Sequence, residues 1–370
     1  MYILALTVNS LLIIVVRINL RLHTPMYFFL SNLSVIDIGI TLVASECILL
    51  AVMAYDSSRE ARVMDNLNET SFNGFFLLSL ADTPSLQALS SLTFLIMYIL
   101  TLSINALILI AVRINLRLHT PMYFFLSNLS IIDIGISTSV VPKLIIITIT
   151  QYKSISLLDC AVQIFFHSAL VVTECVLLAV MAYDRYTAIC KPLHYNTLMN
   201  KRFCISMVAV CWAVGCINSS FHVTYTFQLP FCRSHHINHF FCEIPVLFSV
   251  SCQDTWFHEI SMYIAACILG LIAFISILFS YIYIISTVLN IRSTEGRHKA
   301  FSTCASHLTV VSLYYGPLMF MYFRPHSRNS PSTERTVSVI YTVVTPMLNP
   351  IIYSIRNKDI KVTIQGTRSF

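Results

Sequence analysis

Charged residues and glycine are scarce in this chain of 370 residues. Only 11% of the residues are Asp, Glu, Lys or Arg, whereas 56% are hydrophobic. Because a soluble domain carries about 25% charged residues, the composition excludes an ordinary soluble protein. The eight glycines are few, so no glycine-rich phosphate loop is available. The sequence also lacks HExxH and GxSxG motifs, and its scattered histidines have no nucleophile partner, which argues against an enzyme.

What the chain has instead is a series of apolar runs, each long enough to cross a hydrocarbon core of about 30 Å. Because backbone groups in lipid must be satisfied within their own segment, each span is predicted to be helical. The sequence therefore predicts an all-α polytopic membrane protein with a seven-transmembrane helix bundle. The predicted spans are 86–112, 121–149, 160–186, 203–227, 258–289, 299–323 and 336–353.

Lys and Arg residues concentrate after the first, third, fifth and seventh spans. The positive-inside rule places those loops and the C-terminal tail in the cytoplasm, with the start of the seven-span unit outside. The net charge of +6 is scattered over these short loops, so it indicates contact with membrane lipids and no nucleic-acid partner. Asn68, in the triplet Asn68-Glu69-Thr70, falls on the predicted outer side and is a candidate glycosylation site.

An internal repeat precedes the seven-span unit. Residues 1–40 match 97–136 at 32 of 40 positions, and residues 43–56 match 171–184 at 11 of 14 positions. The number of residues that separates equivalent positions in the two copies is larger for the second match than for the first. The first copy therefore lacks the outer halves of the second and third spans and the loop between them.

This repeat defines three predicted segments. Residues 1–56 are a truncated copy with partial first, second and third helices, 57–85 are an extracellular linker, and 86–370 are the seven-span domain with a short cytoplasmic tail. The copy would add one or two hydrophobic helices at the N-terminus. Its first run, 1–16, reaches only about 24 Å as a helix, so its length leaves open whether it crosses the membrane.

Four motifs occur in order along the seven-span unit. They are LHTPMYFFLSNLS at 118–130, MAYDRYTAICKPLHY at 181–195, KAFSTCASHL at 299–308 and PMLNPIIYSIRN at 346–357. In this ordered set the chain resembles the olfactory receptors of the rhodopsin-like G-protein-coupled receptor family. The resemblance implies a plasma-membrane receptor that binds a small volatile odorant and activates a stimulatory or olfactory G protein α-subunit. The N-terminal copy would then be a fragment of a second receptor.

The inner ends of three spans carry the residues expected to switch. An acid–arginine pair is poorly tolerated in lipid but stable at the cytoplasmic rim, and a mid-helix proline loosens its helix so that two packings are available. The alternatives are a simple membrane anchor and a kink without switching. By resemblance, the switch and G-protein-coupling residues are Asp184, Arg185, Tyr186, Lys299, Asn349, Pro350 and Tyr353.

Acids and amides inside apolar spans are functional candidates by default. The candidates here are Asn105, Asp133, Glu174 and Asn349. The resemblance implies a sodium-containing cavity shared by the last three, whereas the alternative is a pair of protonated acids hydrogen-bonded across helices. Apart from this sodium ion, the sequence predicts no cofactor.

Four cysteines lie on the predicted outer side: Cys160, Cys232, Cys242 and Cys252. Four cysteines allow three pairings, and the resemblance implies Cys160–Cys242 and Cys232–Cys252. The neighbouring His235, His236, His239 and Glu243 could suggest a metal site with Cys242. We disfavour a metal because a disulfide-bonded cysteine offers no thiolate.

The ligand is expected between helices in the outer half of the bundle, in a mostly apolar pocket with a few polar groups. The alternative for each candidate is ordinary helix packing. The candidates, spaced so that several share a helix face, are His167, Ser168, Val171, Val172, Tyr315, Met319 and Tyr322.

Two other functions stay open from the sequence alone. A transporter or channel would need charges along a continuous path or paired broken helices, whereas this repeat is truncated and runs in one direction. A non-functional fusion product is the second alternative.

Overall fold

The computed structural model describes residues 74–78, 80, 83–150, 153–232, 235–290, 293–323 and 331–356. These residues belong to one unit, Phe72–Phe370. The predicted N-terminal fragment 1–56, the candidate glycosylation site Asn68 and most of the predicted linker lie outside the described residues.

Within the described residues, seven long helices follow one another, and each coincides with a predicted span to within a few residues. The prediction of an all-α polytopic membrane fold is confirmed. The helices are α1 Pro84–Ile114, α2 Pro121–Thr150, α3 Leu157–Cys190, α4 Lys201–Thr226, α5 Trp256–Leu289 and α6 Thr294–Phe323, and α7 joins helix Pro331–Val339, the π-helical turn Ile340–Val344 and helix Thr345–Arg356.

Helix α6 differs from the other six in composition. The other six are long and apolar enough to cross a membrane, whereas α6 has sufficient length at 30 residues but mixes polar residues into its sequence. Several of these polar groups face inward, because Ser306, His307, Tyr314 and Tyr315 are buried. The polarity of α6 therefore reflects its contacts with α3, α5 and α7.

Helix starts follow local sequence rules. Pro84 and Pro121 open α1 and α2, where a missing backbone N–H is tolerated. The Ser156 side chain accepts a hydrogen bond from the Asp159 amide at the start of α3, and Asn200 caps α4 by accepting from Phe203. Such caps satisfy amides that have no partner within the helix.

A small sheet covers the outer end of the bundle and was not predicted from the sequence. Its strands are β1 Gly74–Leu77, β2 Ser154–Ser156 and β3 His236–Ile237, in the order β2-β1-β3. Strand β1 runs antiparallel to β2 and parallel to β3, and its Phe75 and Leu77 are buried. Part of the region predicted as a linker is therefore packed into the outer surface.

Helix α3 packs against α2, α4, α5 and α6 and forms the centre of the bundle. Its contact with α4 is closest at Gly215. A Cβ atom at Gly215 would lie 2.2 Å from Thr173 Oγ1 and 2.4 Å from the Ala169 carbonyl oxygen. The Thr173 hydroxyl is itself held by a 2.7 Å hydrogen bond to that carbonyl, so neither atom can move aside easily.

We predict that Gly215→Ala lowers the stability of the bundle by about 1–3 kcal/mol, because an added methyl group overpacks the α3–α4 contact. The measurement is the melting temperature of the detergent-solubilised protein. Gly270→Ala is the matched control, since nothing lies within 4 Å of its Cβ position. Equal melting temperatures for the two variants would contradict this close contact.

Candidate ligand cavity and switch sites

A buried polar network joins α2, α3 and α7. The Asn349 side-chain amide donates to Asp133 Oδ1 at 2.9 Å and to Glu174 Oε1 at 3.1 Å. All three side chains are 2% exposed or less. The structure thus brings together three of the four predicted intramembrane polar residues around one amide group.

The fourth residue, Asn105, bonds to the backbone of α7 instead of to the two acids. Its Nδ2 atom donates to the Thr101 carbonyl at 3.0 Å and to the Pro346 carbonyl at 3.3 Å. The second bond ties α1 to the backbone of α7, one turn before Asn349. Asn105 therefore positions the helix that carries Asn349.

Several buried oxygens in this region have no hydrogen-bond partner among the described residues. They include Asn349 Oδ1, Asn105 Oδ1, Ser137 Oγ and Tyr353 Oη. Ser137 and Tyr353 each follow a network residue by one helical turn, and this spacing keeps them on the same helix face. Two carboxylates with nearby oxygens form the kind of donor set that suits a hard cation.

The inner end of α3 holds a second polar cluster. Arg185 donates to Asp184 Oδ2 at 2.5 Å, and the Tyr195 hydroxyl donates to Asp184 Oδ1 at 2.7 Å. The Asp184 side chain is 1% exposed and that of Arg185 is 13% exposed. Asp184 thus holds Arg185 and the following loop together, while Tyr186 contacts the ring of Tyr283 on α5.

The remaining predicted switch residues lie on α6 and α7. Pro350 lies inside the last helical segment of α7, which continues through it, and the Tyr353 side chain packs against the main apolar core. Lys299 lies in the first turns of α6, and its side chain is outside the described residues.

Sequence reasoning missed a contact between α3, α5 and α6. The His307 ring lies 2.9 Å from the Tyr281 hydroxyl through Nδ1 and 3.2 Å from the Leu178 carbonyl through Nε2. The motif KAFSTCASHL had drawn attention to His307. Its partners lie on other helices, however, and no sequence spacing identifies them.

Both disulfides that the resemblance implied are present in the structure. Cys160–Cys242 has a Cα–Cα distance of 5.5 Å, and Cys232–Cys252 has one of 5.7 Å. The first ties the loop before α5 to the outer end of α3. Gln163 reinforces it, since its Oε1 atom accepts from the Cys242 amide at 3.0 Å. Within the described residues, no group of three or more His, Cys, Asp or Glu side chains could hold a metal ion.

A cavity of about 270 Å³ lies between α3, α4, α5, α6, α7 and the loop that carries Cys242. The side chain of Tyr322, the remaining ligand candidate, is outside the described residues. Six of the predicted ligand residues line the cavity, namely His167, Ser168, Val171, Val172, Tyr315 and Met319.

The cavity also has lining residues that the sequence did not single out. Helix α5 contributes a wall that includes Met262, Ala266 and Gly270, and the loop contributes His239 and Glu243. The α5 residues belong to a uniformly apolar run, so nothing distinguishes those that face the cavity from those that face lipid.

Glu243 and Tyr341 connect the loop to α7 at this cavity. The Tyr341 hydroxyl donates to Glu243 Oε1, and Tyr341 is the second residue of the π-helical turn. Burial raises the pKa of Glu243 to about 7, and the neighbouring Glu334 carboxylate adds to this rise while the bond from Tyr341 opposes it. Burial lowers the pKa of His239 to about 4, so its ring is neutral at physiological pH.

Comparison with known proteins decides the family. An olfactory receptor family model matches residues 1–85 and 94–368. Olfactory receptor 2G6 of Homo sapiens is 44% identical over 298 residues, which cover 80% of this chain and 94% of that protein. The chain belongs to the olfactory receptor family.

Other members of the olfactory receptor family match equally well. Olfactory receptor 5AP2 of Mus musculus is 45% identical over 313 residues, covering 83% of this chain and 97% of the relative. Olfactory receptor 5B12 of Homo sapiens is 45% identical over 300 residues, covering 81% and 96%. This olfactory receptor is therefore an odorant-sensing G-protein-coupled receptor, a multi-pass plasma-membrane protein and not an enzyme.

Proposed function

We propose that an odorant binds in the cavity beneath the Cys160–Cys242 disulfide and shifts the bundle toward a state that activates a stimulatory or olfactory G protein α-subunit. One observation carries this proposal. Tyr315 lines the cavity and its hydroxyl lies 3.2 Å from the Sγ atom of Cys175, and Cys175 is the chain neighbour of Glu174. The cavity wall and the buried polar network therefore share one turn of α3.

The lining supports a small, largely apolar ligand. Val171 and Val172 on α3 and Met319 on α6 offer apolar surface, whereas His167 and Ser168 can orient a polar group. Pockets of this kind bind through buried apolar area and gain specificity from a few polar contacts. The Tyr322 side chain is included in the proposed set because it follows Met319 by one turn.

The signal would pass from the cavity to the cytoplasmic end through α3, α6 and α7. A ligand that favours one arrangement of Tyr315 and Tyr314 biases the position of α6, because Tyr314 donates to the Val171 carbonyl at 2.6 Å. Further along α6, His307 bridges to α3 and α5. A shift of α6 must break or rebuild these bonds, which gives the bundle two discrete arrangements.

The cytoplasmic partner would dock where α3, α5 and α6 end. Arg185, Tyr186 and Lys299 lie near these ends, and opening of α6 would expose an apolar and basic cleft to a helix of the G protein. In this orientation the N-terminus of the seven-span unit is extracellular and its C-terminus is cytoplasmic. Asn68 would be glycosylated on the outer side.

A sodium ion is proposed for the central network. Asp133 and Glu174 provide carboxylate oxygens, and the side-chain oxygen Oδ1 of Asn349 has no hydrogen-bond partner among the described residues. A bound cation would supply positive charge between two acids that otherwise face each other in a low-dielectric interior. Asp133, Glu174 and Asn349 would hold the sodium ion through their side-chain oxygens. The amide nitrogen of Asn349 would keep its hydrogen bonds to the two carboxylates.

We propose that residues 1–56 are a truncated receptor copy placed before an intact receptor. The repeat within the sequence supports this, as does the match of the family model to residues 1–85 in addition to 94–368. The intact unit can begin at Met64, and its orientation does not depend on the copy. A chain that begins at Met64 should therefore signal at least as well as the full chain.

We predict that Arg185→Ala abolishes odorant-evoked cyclic AMP while surface expression is retained, because Arg185 is the basic group that the switch presents to the G protein. Both the full chain and the chain beginning at Met64 are assayed in cells with an odorant panel and surface staining. Arg202→Ala, at an exposed arginine in the first turn of α4, is the control. Unchanged signalling by Arg185→Ala would contradict the assigned role, and silence of both unmodified chains at the surface would contradict the proposed function.

We predict that sodium chloride raises the melting temperature of the purified receptor relative to choline chloride at equal ionic strength, because a ligand of the folded state stabilises it by mass action. Asp133→Asn should remove the difference between the two salts. Asp159→Asn, which removes a carboxylate at the outer end of α3, should preserve it. A melting temperature that does not distinguish the salts would rule out the sodium site.

A further inference from the structure

The polar groups at the loop side of the cavity are dominated by hydrogen-bond acceptors. Glu243 and Glu334 contribute two carboxylates, which only accept, and the neutral rings of His167 and His239 each contribute one accepting and one donating nitrogen. They form one cluster. The His167 and His239 rings lie 5.3 Å and 4.9 Å from the ring of Phe241, and the His167 ring lies 5.9 Å from that of Tyr341. Tyr341 in turn donates to Glu243, and the Glu334 carboxylate acts on Glu243 through its charge. We call His167, His239, Glu243 and Glu334 the acceptor cluster.

Glu243 keeps acceptor capacity toward the cavity. A carboxylate has about four acceptor positions, and Tyr341 donates to one oxygen, Oε1. Burial raises the pKa of Glu243 to about 7, with a smaller rise from the Glu334 carboxylate, even though the bond from Tyr341 lowers it. The negative charge of Glu243 is therefore less favourable here than in water. A donor from a ligand would compensate it.

His239 adds a second indication that a donor or acceptor is missing from this end. The side chain is 3% exposed. Neither ring nitrogen makes a hydrogen bond of regular geometry among the described residues, although the Phe241 backbone is near enough to act on the ring. A buried polar atom without a partner costs roughly 1–3 kcal/mol, so such atoms in folded proteins usually face a ligand or water. His239 lines the cavity and can meet a ligand there.

The cluster disfavours a ligand with a carboxylate head group. No lysine or arginine is among the described residues that line the cavity. A buried anion would therefore lie beside two carboxylates, those of Glu243 and Glu334. Arg335, whose charge acts on His239, follows Glu334 in the chain but does not itself line the cavity, so an anion in the cavity is disfavoured. A head group that donates a hydrogen bond would instead find acceptors there, in the carboxylates of Glu243 and Glu334.

We propose, on the basis of the proposed function, that the ligand has an apolar body and a hydrogen-bond-donating head group, a hydroxyl or an amine, and that Glu243 accepts a hydrogen bond from it. The apolar body then lies against the α3, α5 and α6 walls. Glu243 is a specificity-determining residue that sequence motifs did not identify.

The test is a series of ligands that share one alkyl skeleton, from hexyl to decyl, and differ only in the head group. Alcohol, primary amine, carboxylic acid and methyl ether are applied to the full chain in cells, with cyclic AMP as the readout. We expect the alcohol or the amine to be at least about tenfold more potent than the acid and the ether of the same skeleton, a difference that one hydrogen bond to a charged group can supply. Equal or greater potency of the acids would overturn the proposal.

Two substitutions at Glu243 then identify the acceptor and the preferred donor. Glu243→Leu removes the acceptor and should lower the potency of alcohol and amine by at least about tenfold. Glu243→Gln keeps a neutral acceptor, so it should spare an alcohol but weaken an amine, which needs the charge. Glu259→Leu is the control, because Glu259 accepts from Thr255 at the start of α5 and does not line the cavity.

Surface staining separates a binding defect from a folding defect. If Glu243→Leu does not reach the surface, the head-group series on the unmodified chain and the Glu243→Gln variant still decide the matter. Unchanged potency of the donors in a surface-exposed Glu243→Leu variant would overturn the role of Glu243. If the receptor reaches the cell surface but no compound with any head group raises cyclic AMP, the proposed function is wrong and so is this inference.

Discussion

The bundle depends on two acidic side chains that are buried in its centre, Asp133 and Glu174. Burial of charge in a low-dielectric interior is so unfavourable that such groups must be paired, protonated or bound to a cation. Here a single amide, that of Asn349, reaches both acids. The position of α7 relative to α2 and α3 therefore follows from the need to satisfy these two groups.

Helix α3 carries this central constraint to both ends of the molecule. At its outer end the Cys160–Cys242 disulfide holds the loop over the cavity, and at its inner end Asp184 holds Arg185 and Tyr195. Glu174 lies between the two, next to Cys175 and its contact with Tyr315. A ligand that repositions α6 against this helix can thus influence the network and the end of α3 at Arg185 together, without a long chain of intermediate contacts.

The helices could be predicted from the sequence because apolar runs of sufficient length leave the backbone no alternative in lipid. The polar candidates Asp133, Glu174 and Asn349 could also be identified, since polar residues inside such runs are rare. The pairing of β1 with β2 and β3 could not, because four residues of apolar strand carry no information about partners far along the chain. The same limit hid the Tyr341–Glu243 bond and the contacts of His307.

The sequence identified cavity-lining residues on α3 and α6 but none on α5, for a different reason. On α3 and α6, polar residues such as His167 and Tyr315 interrupt the apolar pattern and reveal an inward face. On α5 nearly every residue is apolar, so Met262 and Gly270, which line the cavity, cannot be told from residues that face lipid, such as Phe279, which is 59% exposed. Only the packing of the bundle separates them.

The most direct measurement of the central claim is a double-mutant cycle on the melting temperature of the purified receptor, with Asp133→Leu, Asn349→Leu and the combination. If the Asn349 amide holds the acids as described, the two losses are not additive, with a coupling free energy on the order of 1 kcal/mol, as expected for residues in one hydrogen-bonded network. Losses that add to within about 0.3 kcal/mol, as they do for distant sites, would contradict the account.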